Sequence, residues 1–266
     1  MPNDLTSTGR QYAWSWPLED WDRMWKPSMW LRNPPKPHPA HVWHLVAILA
    51  LAGYANVIAN LVLEDAWHIP FNLGVLAVAL LIARRAGTTW TSMGLRTDRL
   101  KRGLVVGGSI ILAIGLGVAI AVAIPDFREL FLQDRLVDQS VAWLLFQALI
   151  RIPIATALYE EVMFRGIVFG MLARRYSPLK AGLASSVLFG FWHVLPTLVT
   201  DPLGDTDATV VGLAISVLGA VAGTTVAGLG FLWVRLFANS TLEPVLAHIG
   251  TNSMSMLGAL VVIHFL

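Results

Sequence analysis

Residues 157 to 166, ALYEEVMFRG, set two adjacent glutamates and an arginine inside a long apolar run. A charge at the centre of a membrane helix costs roughly 2.5–3.5 kcal/mol on insertion scales, so side chains of this kind are functional candidates by default. Few residues qualify: Arg151, Glu160, Glu161 and Arg165 in one run, His193 in the next, and Glu243, His248 and Asn252 in the last. Their spacing divides the work. Glu161 and Arg165 are i and i+4 on one helical face and can neutralise each other, and Phe189/His193 and His248/Asn252 share the same spacing. Glu160 is turned about 100° from Glu161 and is left to face a cavity and a water as a general base, with a histidine nearby to hold that water. His248 and Asn252, donors on one face, can stabilise an oxyanion as water attacks a carbonyl. Together these parts make an amide hydrolase. Plainer readings stand beside it: a structural ion pair for Glu161 and Arg165, a packing histidine at His193, and interhelical glue at Asn252.

The elements that must carry these residues follow from composition. The chain has 266 residues, 56% of them hydrophobic and 14% charged, with a mean hydropathy of +0.63, far outside the range of soluble domains. The expected fold is all-α, a polytopic transmembrane bundle of about seven to eight helices. Apolar runs of spanning length lie at about 42–63, 71–86, 103–124, 141–173, 181–199, 209–234 and 241–266. The fourth is too long for one perpendicular helix and contains Arg151 and Pro153, which predicts a separate interfacial or re-entrant piece over 141–151. Glycines in the third and sixth runs read as close packing faces, and the sixth run is the candidate wall of a substrate cavity. Glu160 lies 14 residues before Arg174, His193 lies 13 after Lys180, and His248 lies 13 after Arg235. At about 1.5 Å per residue, all three reach a similar depth of roughly 20 Å from one membrane surface.

Charge sets orientation. With the N-terminus in the cytoplasm, 15 Lys and Arg residues fall in cytoplasmic segments, against only Arg128 and Arg135 outside. The basic residues are spread over short loops, so nucleic acid is not an expected partner. Cysteine is absent, which excludes disulfides, thiolate metal sites and cysteine nucleophiles. No cleavable signal peptide is expected at the polar N-terminus. Residues 1–40, with Trp14, Trp16, Trp21, Trp25 and Trp30 before a proline-rich stretch, are expected to lie in the headgroup region ahead of a bundle over 41–266.

Three segments also resemble a known family. EEVMFR at 160–165 is similar to its EExxxR motif, FGFWH at 189–193 to FxxxH, and HIGTN at 248–252 to HxxxN, in the order of the CAAX protease and bacteriocin-processing (CPBP, or Abi) family. The resemblance covers about residues 90–266. SMGLRTDRLKRGL, ahead of the third span, resembles a less diagnostic segment of the same proteins. The resemblance implies an intramembrane endopeptidase related to the type II CAAX prenyl endopeptidase, acting on membrane-associated or lipidated substrates. Carried over by motif, Glu160 and His193 would activate the water, His248 and Asn252 would form the oxyanion site, and Glu161, Arg165 and Phe189 would support them. A glutamate-activated water requires no metal. The alternative is a zinc ion on Glu160, His193 and His248. Beyond proteolysis, the same polar residues suit a proton-coupled transporter, or a noncatalytic immunity or scaffold protein that kept the motifs. The lack of sorting signals favours a prokaryotic plasma membrane.

Overall fold

The computed structural model describes residues 41–200 and 210–266, so the expected headgroup segment over 1–40 lies outside the described residues. Among the described residues, seven helices are long and apolar enough to cross a membrane. We label the helices α1 (His41–Leu61), α2 (His68–Arg85), α3 (Leu100–Ala123), α4 (Val141–Leu172), α5 (Pro178–Trp192), α6 (Val194–Thr200), α7 (Val210–Ala238) and α8 (Leu242–Phe265), with α5 and α6 forming one span broken at His193. The protein is an integral membrane protein, and its outward faces are apolar. On α3 the i, i+4, i+8 series Leu112, Leu116 and Ile120 is exposed, a stripe suited to lipid. α2 begins earlier than the hydropathy suggests, because Pro70 stands in its first turn, where a missing N–H costs nothing.

The separate piece expected over 141–151 is not formed. α4 runs unbroken through Val141–Leu172, alternating α turns with two π-helical stretches, Gln147–Leu158 and Val162–Val168. Pro153 lies in the first of these, where the widened winding absorbs a ring and a missing donor that would break a regular α-helix. Arg151 is satisfied without leaving the helix. Its Nη1 donates to Gln147 Oε1 at 3.0 Å, and its Nη2 lies 3.6 Å from Asp65 in the α1–α2 connection.

Two helix pairings frame α4. α3 packs along α8, and a Cβ on Gly107 would lie 2.5 Å from Leu246 Cδ1, so the approach is closed to any larger residue. α5 packs on α7, where a Cβ on Gly190 would sit 2.7 Å from the carbonyl oxygen of Val221. The expected packing role fails along most of α7, since Gly219, Gly223 and Gly230 have nothing within 4 Å of a built Cβ. Those glycines face away from the pairing surface; Gly228 faces into it.

A turn between α2 and α3 ties the helices together at one end. Arg235 Nη2 on α7 donates to the Ser92 carbonyl at 2.7 Å, and Thr241 Oγ1, just before α8, donates to that of Met93 at 2.7 Å. The Thr241 N–H donates to the Gly94 carbonyl at 2.9 Å. Gly94 has φ +72°, a conformation that glycine alone adopts without cost, and a Cβ there would meet Thr241 Oγ1 at 2.5 Å. α4 leans on the same turn, with a Cβ on Gly170 falling 3.0 Å from the Ser92 oxygen.

Candidate active site

Glu160 and Glu161 sit in a three-residue α segment, Tyr159–Glu161, between the two π-helical stretches of α4. This local winding points both carboxylates toward α8. Glu161 is fully buried, Arg165 and His248 nearly so, and Glu160 is 7% exposed. Arg165 Nη1 donates to Glu161 Oε1 at 2.9 Å, and the same oxygen lies 2.9 Å from His248 Nδ1. On its other edge, His248 Nε2 lies 3.1 Å from Asn252 Nδ2 and 4.0 Å from Glu160 Oε2. An amide nitrogen can only donate, so Nε2 accepts there and Nδ1–H is the proton given to Glu161. Separate faces for the two glutamates therefore do not mean separate partners. Both reach one imidazole, from opposite edges.

Aromatic rings seal the cluster. The Arg165 guanidinium lies 3.9 Å from the centre of Phe189 and 5.3 Å from that of Phe231, and Phe231 stacks on His248 at 5.0 Å with planes 18° apart. A planar cation between two π faces is held in orientation as well as in place. α7 must be bare where Arg165 meets it, since a Cβ on Gly228 would lie 2.9 Å from Arg165 Nη2.

His193 is positioned differently. Pro196 has no N–H to give to the carbonyl four residues earlier, so the helix breaks after Trp192 and His193 stands at the break. Its Nδ1 lies 2.8 Å from the Phe189 carbonyl, to which it donates, and its ring meets the Phe189 ring edge-on at 4.7 Å. No hydrogen bond or ion pair joins His193 to Glu160 or His248 among the described residues. Trp192 occupies the nearer place instead, its indole N–H donating to Glu160 Oε1 at 3.1 Å. Asn56 on α1 donates to the Trp192 carbonyl that Pro196 leaves free, at 2.9 Å. Sequence reasoning missed Trp192, Asn56 and Phe231, while Gly228 was among the glycines read as a packing face and does pack closely. The Trp-His-x-x-Pro order was a usable signal for the free carbonyl, but nothing local marks Asn56 or Phe231.

Three polar atoms in the cluster have no hydrogen-bond partner among the described residues: Glu160 Oε2, Glu161 Oε2 and Arg165 Nη2. Buried unsatisfied groups are costly, about 1–3 kcal/mol each and more when charged, and they persist where function uses them. Glu160 Oε2 is the informative one. Its 4.0 Å separation from His248 Nε2 is a gap that a single water spans with two hydrogen bonds of about 2.8 Å.

Glu160, His193 and His248 do not converge as a zinc site in this arrangement. Among the described residues, no three His, Asp or Glu side chains gather around a common point, and both nitrogens of His248 are engaged. A three-ligand site with an open fourth position would need His248 to give up one of those contacts.

Residues 141–254 match the family model described as type II CAAX prenyl endopeptidase Rce1-like, while no curated protein and no solved structure matches the chain. The matched stretch begins with α4 and ends two residues beyond Asn252, so it contains all three polar segments on the helices that bring them together. Over that stretch, somewhat under half of its length, the chain is similar to the Rce1-like type II CAAX prenyl endopeptidases.

Proposed function

We propose that this protein is an intramembrane endopeptidase that hydrolyses peptide bonds of membrane-associated substrates, prenylated CAAX-type peptides first among them, with a water activated at Glu160. The observation that carries the reading is the free Oε2 of Glu160 facing His248 Nε2 across 4.0 Å, while Oε1 is held by Trp192. A water between Oε2 and Nε2 gives one proton to Glu160 as its oxygen attacks the scissile carbonyl carbon. The carbonyl oxygen becomes an oxyanion, met by the Asn252 amide, which turns from Nε2 toward it. The proton on Glu160 passes to the departing nitrogen as the C–N bond breaks, leaving a new carboxyl terminus and a free amine. Throughout, Glu161 holds the Nδ1–H of His248, which keeps Nε2 an acceptor toward the water. His193, whose Nδ1 donates to the Phe189 carbonyl, keeps Nε2 as an acceptor and is the proposed second imidazole of the site. A bilayer location suits such substrates, because a lipidated peptide already partitions there; α7 is the proposed wall of the cavity that receives it.

The test is cleavage of fluorogenic prenylated and unprenylated peptides by the purified protein in detergent, with and without chelator. Cleavage that survives chelation supports the metal-free reading. Loss on chelation with recovery on added zinc would overturn it and move the two histidines and Glu160 into a metal shell. Substrate flux across liposomes with no new peptide termini would make the protein a transporter.

The proposed orientation places the N-terminus in the cytoplasm of a prokaryotic plasma membrane. The absence of cysteine makes this simple to check. A single cysteine replacing exposed Lys101 should react with an impermeant maleimide only in inverted vesicles, and one replacing exposed Glu129 only in intact cells.

A further inference from the structure

We propose that Trp192 is a positioning residue for Glu160, and that Asn56, on a helix outside the family-matched stretch, holds Trp192 in place. The proposal rests on the reading of Glu160 as the general base. A free carboxylate has two equivalent oxygens and rotates between them; a base aimed at one water needs that freedom removed. The indole N–H supplies this, donating to Oε1 at 3.1 Å and leaving Oε2 alone to face His248. A hydrogen bond to a charged acceptor is about twice as strong as a neutral one, enough to fix the carboxylate plane.

The indole is itself constrained. Its ring meets Tyr159 at 5.8 Å and Phe164 at 5.6 Å, both on α4 beside the carboxylate it serves. Its backbone lies at the break before His193, where Pro196 has removed the donor that a continuous helix would offer the Trp192 carbonyl. Asn56 Nδ2 replaces that donor at 2.9 Å, and Asn56 Oδ1 in turn accepts from Asn60 at 2.8 Å, one turn further along α1. A buried carbonyl without a partner would favour rewinding or shifting the break. The chain of contacts runs from Asn60 through Asn56 and Trp192 to Glu160. It gives α1 a part in the chemistry.

Trp192→Phe keeps an aromatic ring between Tyr159 and Phe164 and removes the N–H donor together with one ring of the indole. We expect kcat to fall about ten- to a hundredfold with KM unchanged, the effect of losing one hydrogen bond to a charged group. Asn56→Leu should lower kcat in the same sense by a smaller factor. A fall in kcat/KM carried by KM would mark Trp192 as a substrate contact and overturn the proposal, as would wild-type kcat in Trp192→Phe. The contact is read independently by indole 15N–1H spectra of the protein in nanodiscs, where Trp192→Phe assigns one of the 11 tryptophan signals. That signal should move in Glu160→Ala; an unmoved signal would overturn the proposal even if the kinetics agreed. If Glu160→Ala instead keeps full cleavage, it is the assignment of the base that fails, and Trp192 has no base to position.

Discussion

Replacing Glu160 by glutamine should leave a folded protein whose kcat is lower by about a hundred- to ten-thousandfold, the range contributed by a positioned general base. The substitution is nearly isosteric, and a glutamine carbonyl can still accept from the Trp192 indole where Oε1 does now. What is lost is a group able to take a proton from water. Stability should not fall. In the wild type, Glu160 is 7% exposed and its Oε2 has no partner among the described residues, so the folded state carries the desolvation of a charged oxygen that only a water offsets. Removing that charge should hold or raise the unfolding temperature in detergent, as expected where an active site is maintained at the expense of stability. Cleavage by the purified variant, measured beside its thermal unfolding, separates the two effects. Undiminished cleavage would remove Glu160 from the mechanism.

The bundle was legible because lipid imposes one rule: each backbone polar group must be satisfied within its own span, so a long apolar run can only be a helix or part of a closed barrel. Seven such runs became seven spanning helices. The rule is silent about winding. α4 was read as two pieces because Pro153 and Arg151 break the pattern of a regular α-helix, and the structure resolves both by local means: π-helical turns around the proline, and Gln147 with Asp65 around the arginine. Asp65 is 86 residues away from Arg151, and no periodicity within α4 could reveal it. The glycines of α7 show the same limit. Small residues permit close packing, but only a neighbouring helix decides which of them meet one, and of Gly219, Gly223, Gly228 and Gly230 only Gly228 does.

The polar cluster was legible as residue types and not as contacts. Cost in the bilayer singled out Glu160, Glu161, Arg165, His193, His248 and Asn252, and i,i+4 spacing paired those that share a helix. Spacing cannot say which atoms meet between helices. It placed His193 beside Glu160 at a common depth, whereas the break created by Pro196 turns its ring onto Phe189 and gives the contact with Glu160 to Trp192. It also offered His248 as an oxyanion donor, whereas its one proton in the neutral tautomer is directed at Glu161. Tryptophan in a membrane protein is common enough to read as packing, and only its N–H aimed at a carboxylate reveals more.

Glu161 should show two separable roles. In Glu161→Ala, Arg165, 1% exposed, would keep its charge without the carboxylate 2.9 Å away, and breaking a buried pair from one side costs about 3–5 kcal/mol. Low folded yield and a depressed unfolding temperature are expected, and no conclusion about catalysis could be drawn from that variant alone. The double substitution Glu161→Gln with Arg165→Met removes both charges together, which for buried pairs is often neutral or stabilising. Methionine also suits the slot between Phe189 and Phe231, where sulfur packs well against rings. The double variant should therefore unfold near the wild-type temperature. Its activity should still fall by at least about a hundredfold, because glutamine can present either its carbonyl or its amine to Nδ1 and no longer fixes which nitrogen of His248 carries the proton. Loss of that kind follows when a carboxylate orienting a catalytic imidazole becomes an amide. A stable double variant with wild-type kcat would reduce the contact between Glu161 and His248 to packing, and would leave Glu160 as the sole glutamate with a chemical role.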